Sequence, residues 1–368
     1  MVVMHHALAG RPDDGASVVE WILRGAATAF WMGVDCFFVL SGFLITGILL
    51  RTRGLPHALR NFLARRALRT LPLYYATIFV CFVVLPHVPG FDELRALATE
   101  QLWFWLHLSP LYTIAQGVTG DGPPVGWMST FWSLSVEEQF YLFWACTVMA
   151  LGPGRRLWAV LGALLAGTLG LRIVLWFADA PGVIAYYCPF TRLDALLLGS
   201  AIAMWAEERG DFGRLLVPAR VLGVMLGVAL FVPQVGYGGT GFFAETLRFS
   251  AAALLFASLL VVTLAGRGER QGTLARLFTS RVLRACGKYS YAMYVFNKPI
   301  VFLVWSLAAR SAIAETLGRP ATLALVYVGA ALLSFGCATV SWRVLEKPFL
   351  GMKRFFETSP LPAAGGAL

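Results

Sequence analysis

Residues 29–53 read AFWMGVDCFFVLSGFLITGILLRTR, a run in which Asp35 is the single charge before Arg51. At about 1.5 Å rise per residue, the stretch 29–50 reaches roughly 33 Å, enough to cross a hydrocarbon layer ~30 Å thick. In that medium a segment must satisfy its own backbone hydrogen bonds, which a helix does. The strands of a transmembrane barrel would instead alternate apolar and polar over ~10 residues. This run is apolar on every face, so the helix is the expected element. Runs of the same kind occupy 70–89, 128–151, 157–177, 186–206, 217–234, 245–265, 289–309 and 321–342.

Composition agrees. Hydrophobic residues make up 58% of the 368 positions and charged residues 14%, against about 25% charged in a soluble domain. Mean hydropathy is +0.70. The expected fold is all-α, a polytopic transmembrane bundle of about ten helices. The net charge of +10 is then a matter of sidedness rather than of nucleic-acid binding, because Lys and Arg in short loops mark the cytoplasmic face. The stretch 51–69 holds Arg51, Arg53, Arg60, Arg65, Arg66 and Arg69 without an acid and is placed inside. Residues 90–101, with Asp92, Glu93, Arg95 and Glu100, suit the outside. Arg155 and Arg156, then the linker 266–288 with Arg267, Arg270, Arg276, Arg281, Arg284 and Lys288, return to the inside. Lys347, Lys353 and Arg354 put the C-terminus there too, and the N-terminus is placed with it. The alternation holds if 102–116, LWFWLHLSPLYTIAQ, is interfacial or re-entrant and does not cross.

The start, MVVMHHALAG, covers about half a bilayer as helix and is expected to be the outer half of a first helix that lacks its beginning. The six cysteines are scattered without metal-ligand spacing, so no metal site is expected. Residues 1–350 are expected to form one membrane domain and 351–368 a short cytoplasmic tail.

Charged groups inside a span cost about 2.5–3.5 kcal/mol each on insertion scales, so each is a candidate for function. His5 and His6 offer an imidazole as general base, or simply pack. Asp35, near one stripe with Gly42 and Thr46, orients a histidine or an arginine, or forms a buried ion pair. In FWSLSVEEQFYLFW, Ser133, Glu137 and Tyr141 recur at i, i+4 and i+8 on one helical face, suited to proton transfer, to substrate hydrogen bonding, or to a polar seam. Arg66 and Arg69, with Arg65 adjacent, suit phosphate oxygens or anchor the helix at anionic lipid. Arg192 and Asp194 are two apart and do not face each other, so each is expected to have its own partner on another helix. Gly223 and Gly227 form a GxxxG, read as close helix packing.

The motifs GVDCFFVLSGFLIT, RRALRTLPLYY, WSLSVEEQFYL, RLDALLLG, KYSYAMYVF and VLEKPF, in that order over residues 1–350, resemble the acyltransferase-3 family of membrane O-acyltransferases. The resemblance implies a ten- or eleven-helix enzyme moving an acyl group, acetyl or short-chain, from acyl-coenzyme A to a hydroxyl. It assigns the family's R-x10-H histidine to His6, with His5 as the alternative, and places the partner arginine before Met1. It also assigns RxxR to Arg66 and Arg69, the acid of the second helix to Asp35, the WSLxVE glutamate to Glu137 and a late acid to Glu346. Where many members read SYxLYLWHxP this chain has SYAMYVFNKP, so Asn297 stands for a histidine and bears on acceptor recognition, together with Ser133, Tyr141 and Arg192. The esterase-like domain of some relatives is missing, and transfer is expected to finish within the membrane domain.

On that resemblance, Arg65, Arg66 and Arg69 hold coenzyme A phosphates, His6 is the base, and Asp35 or Glu137 fixes its tautomer. The preferred acceptor is a macrolide-like hydroxyl, with a surface-polysaccharide sugar as the alternative. A transporter or flippase for an acylated lipid or glycan is the competing class, using the same charges for ion coupling. Expected partners are the acyl-CoA, the acceptor and the bilayer, with no nucleic acid and with a homo-oligomer left open.

Overall fold

A computed structural model describes residues Val2, His5, His6, 27–122, 124–236, 241–266, 279–310 and 319–356. Among these it is helical, with no strand. In chain order the helices are α1 (Gly33–Thr52), α2 (Ala58–Phe79), α3 (Asp92–Leu97), α4 (Gln101–Trp105), α5 (Ser109–Thr119), α6 (Phe131–Leu151) and α7 (Arg155–Phe177). They continue with α8 (Gly182–Tyr187), α9 (Leu193–Glu208), α10 (Gly213–Gly236), α11 (Arg248–Ala265), α12 (Arg281–Arg310), α13 (Arg319–Ser341) and α14 (Lys347–Gly351).

Among the described residues, seven stretches are helical, long and apolar enough to cross a bilayer: Ala27–Thr52, Ala58–His87, Arg155–Phe177, Gly213–Leu230, Phe243–Ala265, Arg281–Ala308 and Ala321–Phe356. The protein is therefore a multi-pass integral membrane protein. Two of the predicted spans do not meet that measure, for different reasons. Helix α6 is 21 residues long but carries Glu137 and Glu138. The stretch 186–206 breaks at Cys188–Arg192, leaving α9 with 16 residues. Both helices lie in the interior, and α9 buries Asp194, Leu196, Leu197 and Ser200.

In the arginine-rich stretch 51–69 a turn over 53–57 is followed by α2, which starts at Ala58 and carries Arg60, Arg65, Arg66 and Arg69 in its first half. Polar first turns extend the helix beyond the apolar run. Likewise α12 starts at Arg281 and takes in Arg284 and Lys288, while Arg267, Arg270, Arg276 and the tail 357–368 lie outside the described residues.

Side-chain contacts gather the basic helix ends. Arg51 pairs with Glu207 at 2.6 Å, Arg53 Nε donates to the Met149 carbonyl at 3.3 Å, and Trp158 Nε1 donates to Glu208 at 2.9 Å. The end of α1, the end of α6, the start of α7 and the end of α9 thus share one face, the one on which the positive-inside rule was applied above.

Residues 102–116 form two short helices, α4 and α5, broken at His107, whose φ is 56°. The break is held to α2: Tyr74 and Tyr75 hydroxyls donate to the carbonyls of Phe104 and Trp105 at 2.7 and 3.3 Å, satisfying acceptors that a helix end leaves open. The His107 ring stacks on Tyr74 at 4.0 Å. Helix α10 points Val217, Val221, Val224, Met225 and Val228 outward, the surface a lipid-facing helix presents.

The tightest crossing joins α1 to α9. A Cβ on Gly42 would stand 1.9 Å from the Leu196 carbonyl oxygen, and one on Gly199 would stand 2.0 Å from that of Val39. Backbone meets backbone here, so nothing can swing aside. On Gly223 of the GxxxG, by contrast, a Cβ meets the Ser258 Cβ at an ordinary 3.5 Å. Gly199→Ala is expected to cost at least about 1–3 kcal/mol by overpacking, and Gly223→Ala less than about 0.5 kcal/mol. Thermal unfolding in detergent separates the two, and equal midpoints would contradict the crossing.

Candidate functional site

His6 and Asn297, 291 positions apart, meet in the interior. His6 Nδ1 bonds the Asn297 side-chain oxygen, and the Asn297 amide nitrogen donates to the Tyr294 carbonyl on its own helix. That second bond fixes which way the amide faces. Its oxygen must then accept from His6, so Nδ1 carries the proton and Nε2 keeps its lone pair. His5 Nδ1 is occupied with the Ala27 carbonyl at 3.1 Å. An acid was expected to orient His6, and the structure corrects this: the amide of Asn297 does so, while Asp35 and Glu137 are engaged elsewhere.

Asp35 is fully buried and pairs with Arg192, Oδ1 to Nη2, at 2.8 Å. Asp194 pairs with Arg172 at 2.8 Å and accepts from the Ser250 hydroxyl at 2.7 Å. Arg192 and Asp194 do have separate partners on other helices, as their spacing predicts. The Phe249 ring lies 4.2 Å from the Arg192 guanidinium and 5.6 Å from that of Arg172. Cation–π contacts of this kind help to hold desolvated guanidiniums.

Ser133, Glu137 and Tyr141 form a buried face of α6. Ser133 hydrogen-bonds with the Tyr294 hydroxyl, Tyr141 with Ser41 at 2.8 Å, and the Glu137 carboxyl lies against Ser41 and Tyr141. The Arg66 guanidinium sits 5.2 Å over the Tyr141 ring. Hydroxyls and charge therefore continue from the histidine toward the basic end.

At that end Arg69 is paired with Glu346 at 3.0 Å and donates to the Lys288 carbonyl at 3.5 Å. Three of the motifs quoted above are thus joined. Arg65 is exposed and Arg66 half-buried, and Lys353 lies within electrostatic reach of all three arginines.

Two cavities flank the His6–Asn297 pair and share Val2, Val34 and Tyr294 as walls. The larger, about 240 Å³, runs along one face of α12 past Cys286, Ser290, Met293 and Asn297, with Ser133 opposite. The smaller, about 140 Å³, contains His5, His6 and Lys298 among Trp31, Trp132, Tyr186 and Tyr187. Phe30, Trp31, Ser129 and Thr130 on its wall precede α1 and α6, so it lies near the ends opposite the arginines.

The family described as "Acyltransferase domain" matches residues 1–343. The chain belongs to it. Among its relatives, a Listeria monocytogenes protein named peptidoglycan O-acetyltransferase is 28% identical over 86% of this chain and 51% of its own length. A Staphylococcus aureus protein named O-acetyltransferase is 27% identical over 91% of this chain and 55% of its own. The chain spans about half the length of these relatives. No solved structure is a significant match. Multi-pass placement in a bacterial cell membrane accords with the family and the helices together.

Lys298 and Tyr294 escaped the reading of candidate site residues. The signal for Lys298 was present as a charge inside an apolar run. It stands directly beside Asn297, the position that departs from the family pattern.

Proposed function

We propose that the chain is a membrane O-acetyltransferase taking an acetyl group from acyl-coenzyme A at the cytoplasmic end and passing it to a sugar hydroxyl. The observation that carries this is the placing of His6 and Asn297 between two cavities, one running along α12 toward Cys286 and the other walled by aromatic rings. From Cys286 to Asn297 the helix rises about 16 Å at 1.5 Å per residue, a length suited to an extended pantetheine arm. Arg66, with Arg65 beside it, offers charge-assisted hydrogen bonds to phosphate oxygens. Arg69 already serves Glu346 and contributes by holding the mouth together.

In the reaction the acceptor oxygen attacks the thioester carbonyl as Nε2 of His6 takes its proton. The C–S bond then breaks, and the leaving thiolate recovers that proton as thiol. The Ser133 and Tyr294 hydroxyls bond each other and the Thr130 carbonyl at the junction; one of them turned toward the transient oxyanion would be a donor of the kind worth about 2.7–4 kcal/mol in other enzymes. The printed names of the two relatives favour a sugar acceptor over the macrolide-like hydroxyl.

The test uses membrane vesicles and radiolabelled acetyl-CoA. Arg66→Leu is expected to raise KM for the donor roughly tenfold or more, the worth of a hydrogen bond to a charged group, with a smaller change in kcat. Arg66 is the better probe because removing Arg69 would strand Glu346. Solute flux without release of coenzyme A would replace this reading with the transporter.

A further inference from the structure

Lys298 has no part in the reaction just described, yet it stands in the cavity that holds the base. It follows Asn297 directly on α12, so the two side chains leave the helix about 100° apart. Its ammonium bonds the Ser129 hydroxyl, and no carboxylate pairs with it among the described residues. The buried arginines of the outer half are treated differently. Arg172 and Arg192 each have an acid within 2.8 Å. A cation left unneutralised in a low-dielectric cavity is costly, and a negative group brought in by a ligand relieves that cost.

The walls narrow the class of ligand. Trp31, Trp132, Tyr186 and Tyr187 give flat aromatic faces, and Ser129 and Thr130 add polar groups between them. The cavity, about 140 Å³, is smaller than the roughly 300–1,000 Å³ of common ligand pockets, so it admits one end of an acceptor rather than the whole. The base and the cation therefore address the same unit of the acceptor.

Resting on the acetyl-transfer reading above, we propose that Lys298 selects an acidic sugar, one bearing a carboxylate on the same ring as the hydroxyl that His6 deprotonates. Aromatic faces stack against the ring, the ammonium takes the carboxylate, and the hydroxyl is left toward Nε2 of His6. Lys298 is thus a specificity-determining residue. A phosphate-bearing sugar would satisfy the same charge, and the test separates it.

Methyl glucuronoside, methyl glucoside and methyl glucoside 6-phosphate serve as acceptors with radiolabelled acetyl-CoA and purified protein in detergent. The wild-type protein is expected to prefer the glucuronoside over the glucoside by ten- to a hundredfold in kcat/KM. Lys298→Met should bring that ratio close to one, Lys298→Arg should keep most of it, and Lys298→Glu should reverse it. Quenching of tryptophan fluorescence, with Trp31 and Trp132 on the cavity wall, reads binding independently of turnover and should follow the same order. An unchanged ratio in Lys298→Met, a preference for the phosphate, or binding of neither sugar overturns the proposal. Transfer that survives His6→Ala while the charge preference stays with Lys298 would overturn the catalytic reading and leave this one standing.

Discussion

His6→Ala is expected to lower acetyl transfer by about 10²–10⁴-fold, the contribution of a positioned general base, while the protein stays folded in detergent. The free ring nitrogen decides this. Asn297 is held by its bond to the Tyr294 carbonyl, so it presents oxygen, and His6 must meet it with Nδ1–H. Nε2 is left to accept a proton. An amide orients the ring but brings no negative charge to the imidazolium, unlike the acid of a Ser-His-Asp arrangement. The ring is thus a base of modest strength. That suffices for attack on a thioester, which is already activated. His5→Ala should cost at least tenfold less, because its Nδ1 serves the Ala27 carbonyl rather than a side chain at the junction of the cavities. The measurement is kcat with saturating acetyl-CoA, beside a thermal midpoint for each variant. Equal losses in the two variants would remove the special standing of His6.

Much of the bundle was legible because its physics is local. Apolar length, and the absence of a long helix over 102–116, each follow from a few neighbouring residues. The separate partners of Arg192 and Asp194 followed from helical spacing, since residues two apart cannot share a face. Long-range choices were not legible. That Asn297 would face His6, and that Asp35 would turn to Arg192, depends on how α1, α9 and α12 pack. The Gly42–Gly199 crossing brings α9 against α1 and so carries Arg192 to Asp35. Helix starts are a separate matter from spans. Hydropathy marks where apolar residues begin, whereas hydrogen bonding carries α2 and α12 on through their basic turns.

The same crossing leads to a second large effect. Asp35→Leu is expected to cost about 3–5 kcal/mol, because it strands a guanidinium that its surroundings cannot hydrate. Arg192 is 0% exposed, and its Nε and Nη1 have no hydrogen-bond partner. The Phe249 ring at 4.2 Å softens the loss without abolishing it. Were Asp35 instead a group acting on His6, the variant would stay as stable as wild type and lose turnover alone. A second substitution separates the two roles. Adding Arg192→Met to Asp35→Leu replaces the ion pair by apolar side chains, which in other proteins is neutral or stabilising. The double variant should regain most of the thermal midpoint lost by the single one, and with it most of the acetyl transfer. A double variant that is stable yet inactive would return Asp35 or Arg192 to the chemistry. Recovery of both properties would mark the pair as the strut that sets α9 against α1 and, through Trp132 and Tyr186 beside Arg192, shapes the wall of the acceptor cavity.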